Sequence, residues 1–161
     1  MNDLISLPFH FRIMQHLDLE HVRTIESACH LHPWTMKNFV DCLQANYWNY
    51  VLCLGASPEQ VIGHCIVMPG VNELHLLNIS IMPEYQRHRI AYQALIAIEV
   101  MAKEHGHEKI LLEVRASNVA ALGLYGKLHY QMIGTRKNYY PSKIGFESHR
   151  EDALVMEKAL K

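Results

Sequence analysis

The sequence predicts an α/β or α+β fold, with a central mixed sheet and helices on both of its faces, in one domain spanning residues 1–161. Three observations carry this expectation. Segments of strand length alternate or run together in apolar residues, other segments repeat them at helical spacing, and the two kinds interleave as β-α-α-β-β-β-α-β-α-β-β. A chain of 161 residues builds one substantial core but not two ordinary domains. Half of its residues are hydrophobic and 19% are charged, so apolar burial can offset the entropy of ordering.

Each element has its own signal. Pro8 to Ile13 alternates as a first strand. From Asp18, an N-cap by residue type, Leu19, Val22, Ile25 and Ala28 recur at helical spacing, and Pro33 closes the connection. Thr35 caps a second helix, in which Met36, Phe39, Val40 and Leu43 form the i, i+3, i+4, i+7 stripe. Tyr47 to Leu54 and Val61 to Met68 are aromatic and β-branched runs around a turn, hence a hairpin. In the next strand, Glu73 to Ile81, Leu74 and Leu76 share one phase of the alternation, whereas Leu77, Ile79 and Ile81 take the other. A β-bulge at Leu76–Leu77 accounts for this change of side, and so does a strand buried on both faces. After the polar stretch Met82 to Arg89, Ile90, Ala94, Leu95, Ile98, Met101 and Ala102 give the clearest amphipathic helix, which Gly106 ends. Lys109 to Val114 is a strand, Asn118 to Leu128 a short helix, and His129 to Arg136 and Ala153 to Leu160 are the last two strands.

Composition excludes several classes of function. Fifteen Lys and Arg against sixteen Asp and Glu leave a formal charge of -1, so no general positive field holds a nucleic acid. No apolar run approaches the roughly 20 residues of a membrane span, and the opening MNDLISLPFHFR lacks a signal peptide's basic and apolar regions. A soluble, cytoplasmic protein, monomeric or weakly dimeric, is expected. Cys29, Cys42, Cys53 and Cys65 form no CxxC pair and read as reduced, buried, small hydrophobes. The His-x-His pairs at His30/His32 and His105/His107 have no further ligand at metal-binding spacing, so no metal is expected.

Two places carry chemistry. The strand, loop and helix from Asn78 to Met101 bring outward N–H groups together with Arg87, His88 and Arg89, a combination suited to phosphate, although such a turn is also simply a solvated one. Glu113 lies in the opposite strand phase from Leu112 and Val114, so its carboxylate projects away from them as a base would. Asn118 opens the next helix, and Tyr125 stands about two turns along it. The plain alternative pairs Glu113 with Arg115 or a lysine and leaves Tyr125 to pack its ring.

Together these stretches resemble the GNAT superfamily of acyl-CoA-dependent N-acetyltransferases over nearly the whole chain. The family's pyrophosphate loop, Arg/Gln-x-x-Gly-x-Gly/Ala, aligns with Gln86-Arg87-His88-Arg89-Ile90-Ala91, and Leu112 to Ala121 followed by Leu122-Gly123-Leu124-Tyr125 match closely. Within the superfamily, His32-Pro33-Trp34-Thr35, Leu112 to Ala121, Arg136 to Pro141 and Arg150-Glu151-Asp152-Ala153 resemble the bacterial branch that acetylates the terminal amine of a ribosomal protein.

The resemblance implies a mostly antiparallel sheet whose bulge splays two central strands and leaves room for the coenzyme. It implies acetyl-CoA as co-substrate, held by the main chain of Ile79, Ser80 and Ile81, by Arg87, His88, Arg89, Ile90, Ala91 and Tyr92, and by Asn118. Glu113 is then the general base and Tyr125 the general acid, with Trp34, Tyr139 and Tyr140 bordering a protein or peptide N-terminus. Two departures stand out. Arg89 replaces the first glycine of the loop, at a cost of roughly 1 to 2 kcal/mol if the backbone there is left-handed. Leu128-His129-Tyr130 replaces Leu-Gly-Phe, a change histidine tolerates. The loop between Pro141 and Arg150 also reads as long. A lysine or small-molecule amine as acceptor, and a non-catalytic acyl-CoA-binding module, are the competing expectations.

Overall fold

A computed structural model of the chain describes residues 8–144 and 147–160. Its elements are β1 (His10–Ile13), α1 (Leu19–Cys29), α2 (Met36–Gln44), β2 (Trp48–Leu54), β3 (Gln60–Pro69), β4 (Glu73–Ile81), α3 (Ile90–Glu104), β5 (Lys109–Arg115), α4 (Val119–Lys127), β6 (Gln131–Ile144) and β7 (Glu147–Ala159). This is the order of types that the periodicity predicts. The strands are hydrogen-bonded in the order β1-β2-β3-β4-β5-β7-β6. β4 and β5 run parallel, while β1–β2, β2–β3, β5–β7 and β6–β7 are antiparallel. The sheet is therefore mixed and mostly antiparallel. By contacts the residues form two compact units: the chain up to Pro69 with Leu77–Ala97, and Gly70–Leu76 with the chain from Ile98 onward.

In the first unit, Val22, Phe39, Val51, Cys53 and Ile66 are fully buried in one cluster, which joins α1 and α2 to β2 and β3. Consecutive residues Val51, Leu52 and Cys53 are all buried, as is the run from Ile62 to Val67. Because neighbouring strand residues point to opposite faces, such runs mean that both faces are covered there. Along α1 the buried positions are Leu19, Val22, Ile25 and Glu26, whereas Ala28 is exposed. At 3.6 residues per turn, a residue nine positions after Leu19 lies on the opposite side of the helix, and one seven positions after it returns to the same side. Spacing by three therefore drifts off the core, and Glu26 holds the place expected of Ala28. Asp18 does not cap α1 with its side chain. Its carboxylate instead accepts from the backbone N–H of Gln15 at 2.7 Å and pairs with Arg12 at 2.8 Å. Thr35 caps α2 as expected, through the N–H of Asn38.

In the second unit, β4 and β5 pair in register from Glu73↔Lys109 to Leu76↔Leu112. β5 alternates cleanly, with Ile110, Leu112 and Val114 buried and Leu111, Glu113 and Arg115 partly open. β7 covers β5 from Lys109↔Ala159 to Arg115↔Ala153. β6 and β7 are longer than their periodicity suggests, because β6 holds two irregularities, at Met132/Gly134 and at Arg136/Tyr140. Between Arg136 and Tyr140, β6 advances further than β7 does from Ala153 to Glu151, and Asn138 sits at φ 52. Extra residues break the two-residue alternation, which hides the strand from a reading by period. The segment expected as a loop from Pro141 to Arg150 is paired strand on both arms, Pro141↔Arg150 to Ile144↔Glu147; residues 145 and 146 lie outside the described residues.

Candidate active site

Strand register sets the surroundings of Glu113. Across β7 it faces Val155, which in turn faces Gly134 of β6; one row along, Arg115 faces Ala153 and Ala153 faces Arg136. Cross-strand partners share a face, so Glu113, Arg115 and Arg136 all project on the same side, with only small or medium residues between them. Arg136 reaches back to Glu113, Nε to Oε1 at 2.7 Å. The ion pair that Glu113 makes is thus with Arg136 rather than with Arg115 or a lysine. Arg115 pairs instead with Glu151 at 2.8 Å and lies 4.4 Å from the centroid of the Tyr140 ring. Glu151 also accepts from the N–H of Ser117 at 3.2 Å.

Tyr139 and Tyr140 meet edge to face at 5.0 Å, and Arg136 stands 5.5 Å from the Tyr139 ring. Burial and the charge of Glu113 raise both hydroxyls, that of Tyr140 to about 12. At neutral pH both are therefore neutral hydrogen-bonding groups beside a carboxylate. Of the predicted site residues, the fold brings together Glu113, Tyr139 and Tyr140. Tyr125 is buried in α4 with its ring 5.7 Å from that of Tyr130. Asn118 caps α4, its side-chain oxygen accepting from the N–H of Ala121 at 3.1 Å. His129 stands at φ 65, the left-handed conformation it was expected to tolerate.

In the first unit, the stretch after β4 makes a short 3-10 turn at Pro83–Tyr85 and enters α3 at Ile90. Arg87 and Arg89 are exposed and both have positive φ, 66 and 59. Arg89 therefore does occupy a left-handed position where the family pattern has glycine. The N–H groups of Ile90, Ala91 and Tyr92 open α3 ahead of the first helical bond, Gln93 N–H to the Arg89 carbonyl at 3.0 Å. A backbone so turned, next to a helix start and two guanidinium groups, fits a pyrophosphate. His88 is occupied locally, its Nδ1 lying 2.9 Å from the Gln86 carbonyl.

Several groups of the predicted coenzyme strand have partners within the chain. The Ile81 carbonyl accepts from Gln86 Nε2 at 2.8 Å and from the Cys29 thiol at 3.1 Å. Ser80 points its hydroxyl away from the role assigned to its backbone, toward His30 Nε2 at 2.8 Å. Gly63 of β3 passes so close that a Cβ there would lie 2.7 Å from the Ser80 carbonyl oxygen, which explains the glycine. Trp34 rests on Phe39, ring centroids 5.4 Å apart.

What periodicity missed is a buried polar cluster around Glu26, which is only 2% exposed. One carboxylate oxygen accepts from the N–H of Trp34 at 2.9 Å. The other faces Asn78 Nδ2 at 3.1 Å, Ser80 Oγ at 3.3 Å, His64 Nε2 at 3.3 Å and His30 Nε2 at 3.6 Å. Burial alone would raise this carboxyl, but hydrogen bonds from His64 and the Trp34 N–H, and the charges of the two histidines, hold it down at about 2. Its signal was present: an acidic residue four positions after Val22 on an apolar stripe, and a histidine inside the apolar run of β3. On β4, Asn78 and Ser80 continue the phase of Leu74 and Leu76 with polar groups, so the apolar residues change sides where the cluster begins. A second group, His10, Cys53 and Glu59, brings ligand-type atoms within 4.8 Å of one another, but Arg12 already pairs with Glu59, and a cation there would meet that charge.

By its likeness to known proteins the chain is an acetyltransferase. The pattern described as Acetyltransferase (GNAT) family matches residues 19–130, and the chain belongs to that family. It is 32% identical over 145 residues to a putative ribosomal protein bS18-alanine N-acetyltransferase of Bacillus subtilis, covering 90% of this chain and 91% of that one. The crystal structure of the ribosomal-protein-S18-alanine N-acetyltransferase from Escherichia coli superposes with a TM-score of 0.84 at 29% identity, over 95% of this chain and 94% of that one. The NatC complex, solved with Gag peptide and CoA, shares the fold at a TM-score of 0.75 and 20% identity, over 95% of this chain and 99% of that one. Among the described residues, no helix is long and apolar enough to cross a membrane.

Proposed function

We propose that this protein transfers the acetyl group of acetyl-CoA to the N-terminal α-amine of a protein in the cytoplasm, and that the acceptor is a ribosomal protein, as the names of its relatives suggest. The observation that carries the reading is the setting of Glu113, a partly exposed carboxylate paired with an open Arg136 and standing beside two neutral tyrosine hydroxyls. An α-ammonium group with a pKa of about 8 must lose a proton before it can attack, and Glu113 takes that proton, directly or through a water. The amine nitrogen then bonds to the thioester carbonyl carbon, the carbon–sulfur bond breaks, and the Tyr125 hydroxyl gives its proton to the thiolate, while the second proton that the nitrogen sheds on becoming an amide passes through water to restore Tyr125. Main-chain N–H groups in Ile79–Ile81 stabilise the charge that develops on the carbonyl oxygen. The loop from Arg87 to Tyr92 holds the pyrophosphate, and Asn118 contacts the coenzyme. Trp34, Tyr139 and Tyr140 receive the first residues of the acceptor.

Incubation with labelled acetyl-CoA and peptides that differ only in their first residues tests this, with mass spectrometry locating the modified nitrogen. Acetyl on the terminal amine is the expected result. Acetyl on a lysine or on small amines alone would replace the acceptor class. Coenzyme binding without transfer to any amine would replace the enzyme by a binding module.

A further inference from the structure

The Glu26 cluster has no part in the chemistry above, yet it joins two segments that do. Through one carboxylate oxygen Glu26 holds the N–H of Trp34, in the connection between α1 and α2. Through the other it holds Asn78 and Ser80, which flank Ile79 on β4. All of these atoms belong to one compact unit. We propose that Glu26 is a positioning residue for the acceptor, fixing the Trp34 segment against β4 so that the first residues of the peptide meet a preformed surface. The inference rests on the reading of Trp34 as acceptor-binding given above.

The chemistry of the cluster favours fastening over catalysis. Glu26 is almost wholly shielded from solvent and His64 wholly so, which leaves neither within reach of a substrate. Ser80 and His30 are within hydrogen-bond distance, but the Ser80 hydroxyl is itself buried and the same His30 nitrogen faces both Ser80 and Glu26. A nucleophile–base–orienter arrangement would use the two ring nitrogens for different partners. His64 packs its ring edge to face against Phe39 at 5.3 Å, and Phe39 carries the Trp34 ring. The carboxylate therefore holds the backbone of Trp34 while the His64–Phe39 contact supports its ring. A buried charge with this many donors defines one geometry, because a displaced donor leaves the carboxylate incompletely satisfied.

The test compares wild type with Glu26→Gln, which keeps the shape and removes the charge, and with Ser80→Ala, which removes one contact and is the milder change. Two quantities are read: hydrogen exchange of the Trp34 amide by NMR, and KM for an acceptor peptide alongside the dissociation constant of acetyl-CoA. For Glu26→Gln the amide exchanges at least tenfold faster and acceptor KM rises about tenfold, while acetyl-CoA affinity changes less than threefold, since β4 stays held by its sheet neighbours. Ser80→Ala moves both quantities in the same direction by less, and it decides the matter if Glu26→Gln does not fold. Unchanged Trp34 exchange overturns the fastening, and faster exchange with unchanged acceptor KM overturns the role in binding. A wild type that acetylates no peptide overturns the acetyltransferase reading instead, and the exchange measurement then still reports on the fastening alone.

Discussion

The Nε of Arg136 lies 2.7 Å from Oε1 of Glu113, so the carboxylate assigned as base is closed by a cation from two strands away. Arg136 is 58% exposed, and an ion pair so open to water is worth little. An incoming ammonium can take its place at small cost. Glu113→Gln is expected to lower turnover by about 10²-fold or more and to leave acetyl-CoA affinity unchanged, as removal of an acid–base group does. Tyr125→Phe follows the same pattern, whereas Arg136→Gln changes kcat/KM by less than about tenfold. Steady-state kinetics with coenzyme binding measured separately checks all three, and full activity in Glu113→Gln and Tyr125→Phe would refute both assignments.

Arg89 holds φ at 59 without the freedom of glycine. A left-handed side-chain residue costs roughly 1 to 2 kcal/mol, and the greater freedom of an unfolded glycine takes back about half of that. Arg89→Gly is therefore expected to stabilise the protein by up to about 1 kcal/mol, seen as a rise in Tm of about 2 to 4 °C. The same substitution removes a charge beside the proposed pyrophosphate site. Acetyl-CoA binding should weaken, and its dependence on salt should become shallower. Calorimetry at two ionic strengths separates this from a purely conformational effect, in which affinity would stay the same or improve.

The order of elements and the bounds of β4 were legible in the sequence because each segment repeats its apolar residues at the period of its own backbone. The phase of Glu113 on β5 was legible for the same local reason and the cap at Thr35 from its residue type, whereas the left-handed site at His129 followed from the resemblance, which has glycine there. β6 between Arg136 and Tyr140 was not, since its extra residues erase the alternation that identifies a strand. The partner of Glu113 was hidden as well: Arg136 is far away in sequence and comes near only through the pairing of β5 and β6 with β7. Glu26 was overlooked because the stripe along α1 was followed by threes, a spacing that leads to exposed Ala28 and steps past the buried carboxylate.

The thiols give a simpler check. Burial raises all four cysteines, Cys65 to about 12 and Cys29, with the charge of Glu26 nearby, to about 11. Thiolate is the reactive form, so at pH 8 in the native protein Cys29 and Cys65 should be alkylated more slowly than a free thiol by about two orders of magnitude or more, and Cys42 and Cys53 should be slowed as well. Cys42, Cys53 and Cys65 are buried and should react last. Counting modified residues by mass against time, with denatured protein as reference, measures this; a thiol that labels at once would contradict its burial.

Glu26 makes the sharpest demand on pH. Its carboxyl is held at about 2 against an ordinary 4.5, so the folded state binds this proton less readily than the unfolded state does. Stability from this group is complete above pH 4.5 and drains away as pH falls toward 2, by about 3 kcal/mol over the whole interval. Other depressed carboxyls, Asp18 and Glu151 among them, also lose stability in acid, but they do so equally in a Glu26→Gln variant. Below the ordinary histidine range, where His30 and His64 no longer change charge, the difference in unfolding free energy between wild type and variant isolates Glu26. Urea titrations at pH 5, 4 and 3 should give a difference that shrinks as the pH falls. Parallel curves throughout would mean that the carboxyl titrates alike in both states, and that the donors from Trp34, Asn78, Ser80 and His64 do not hold its charge.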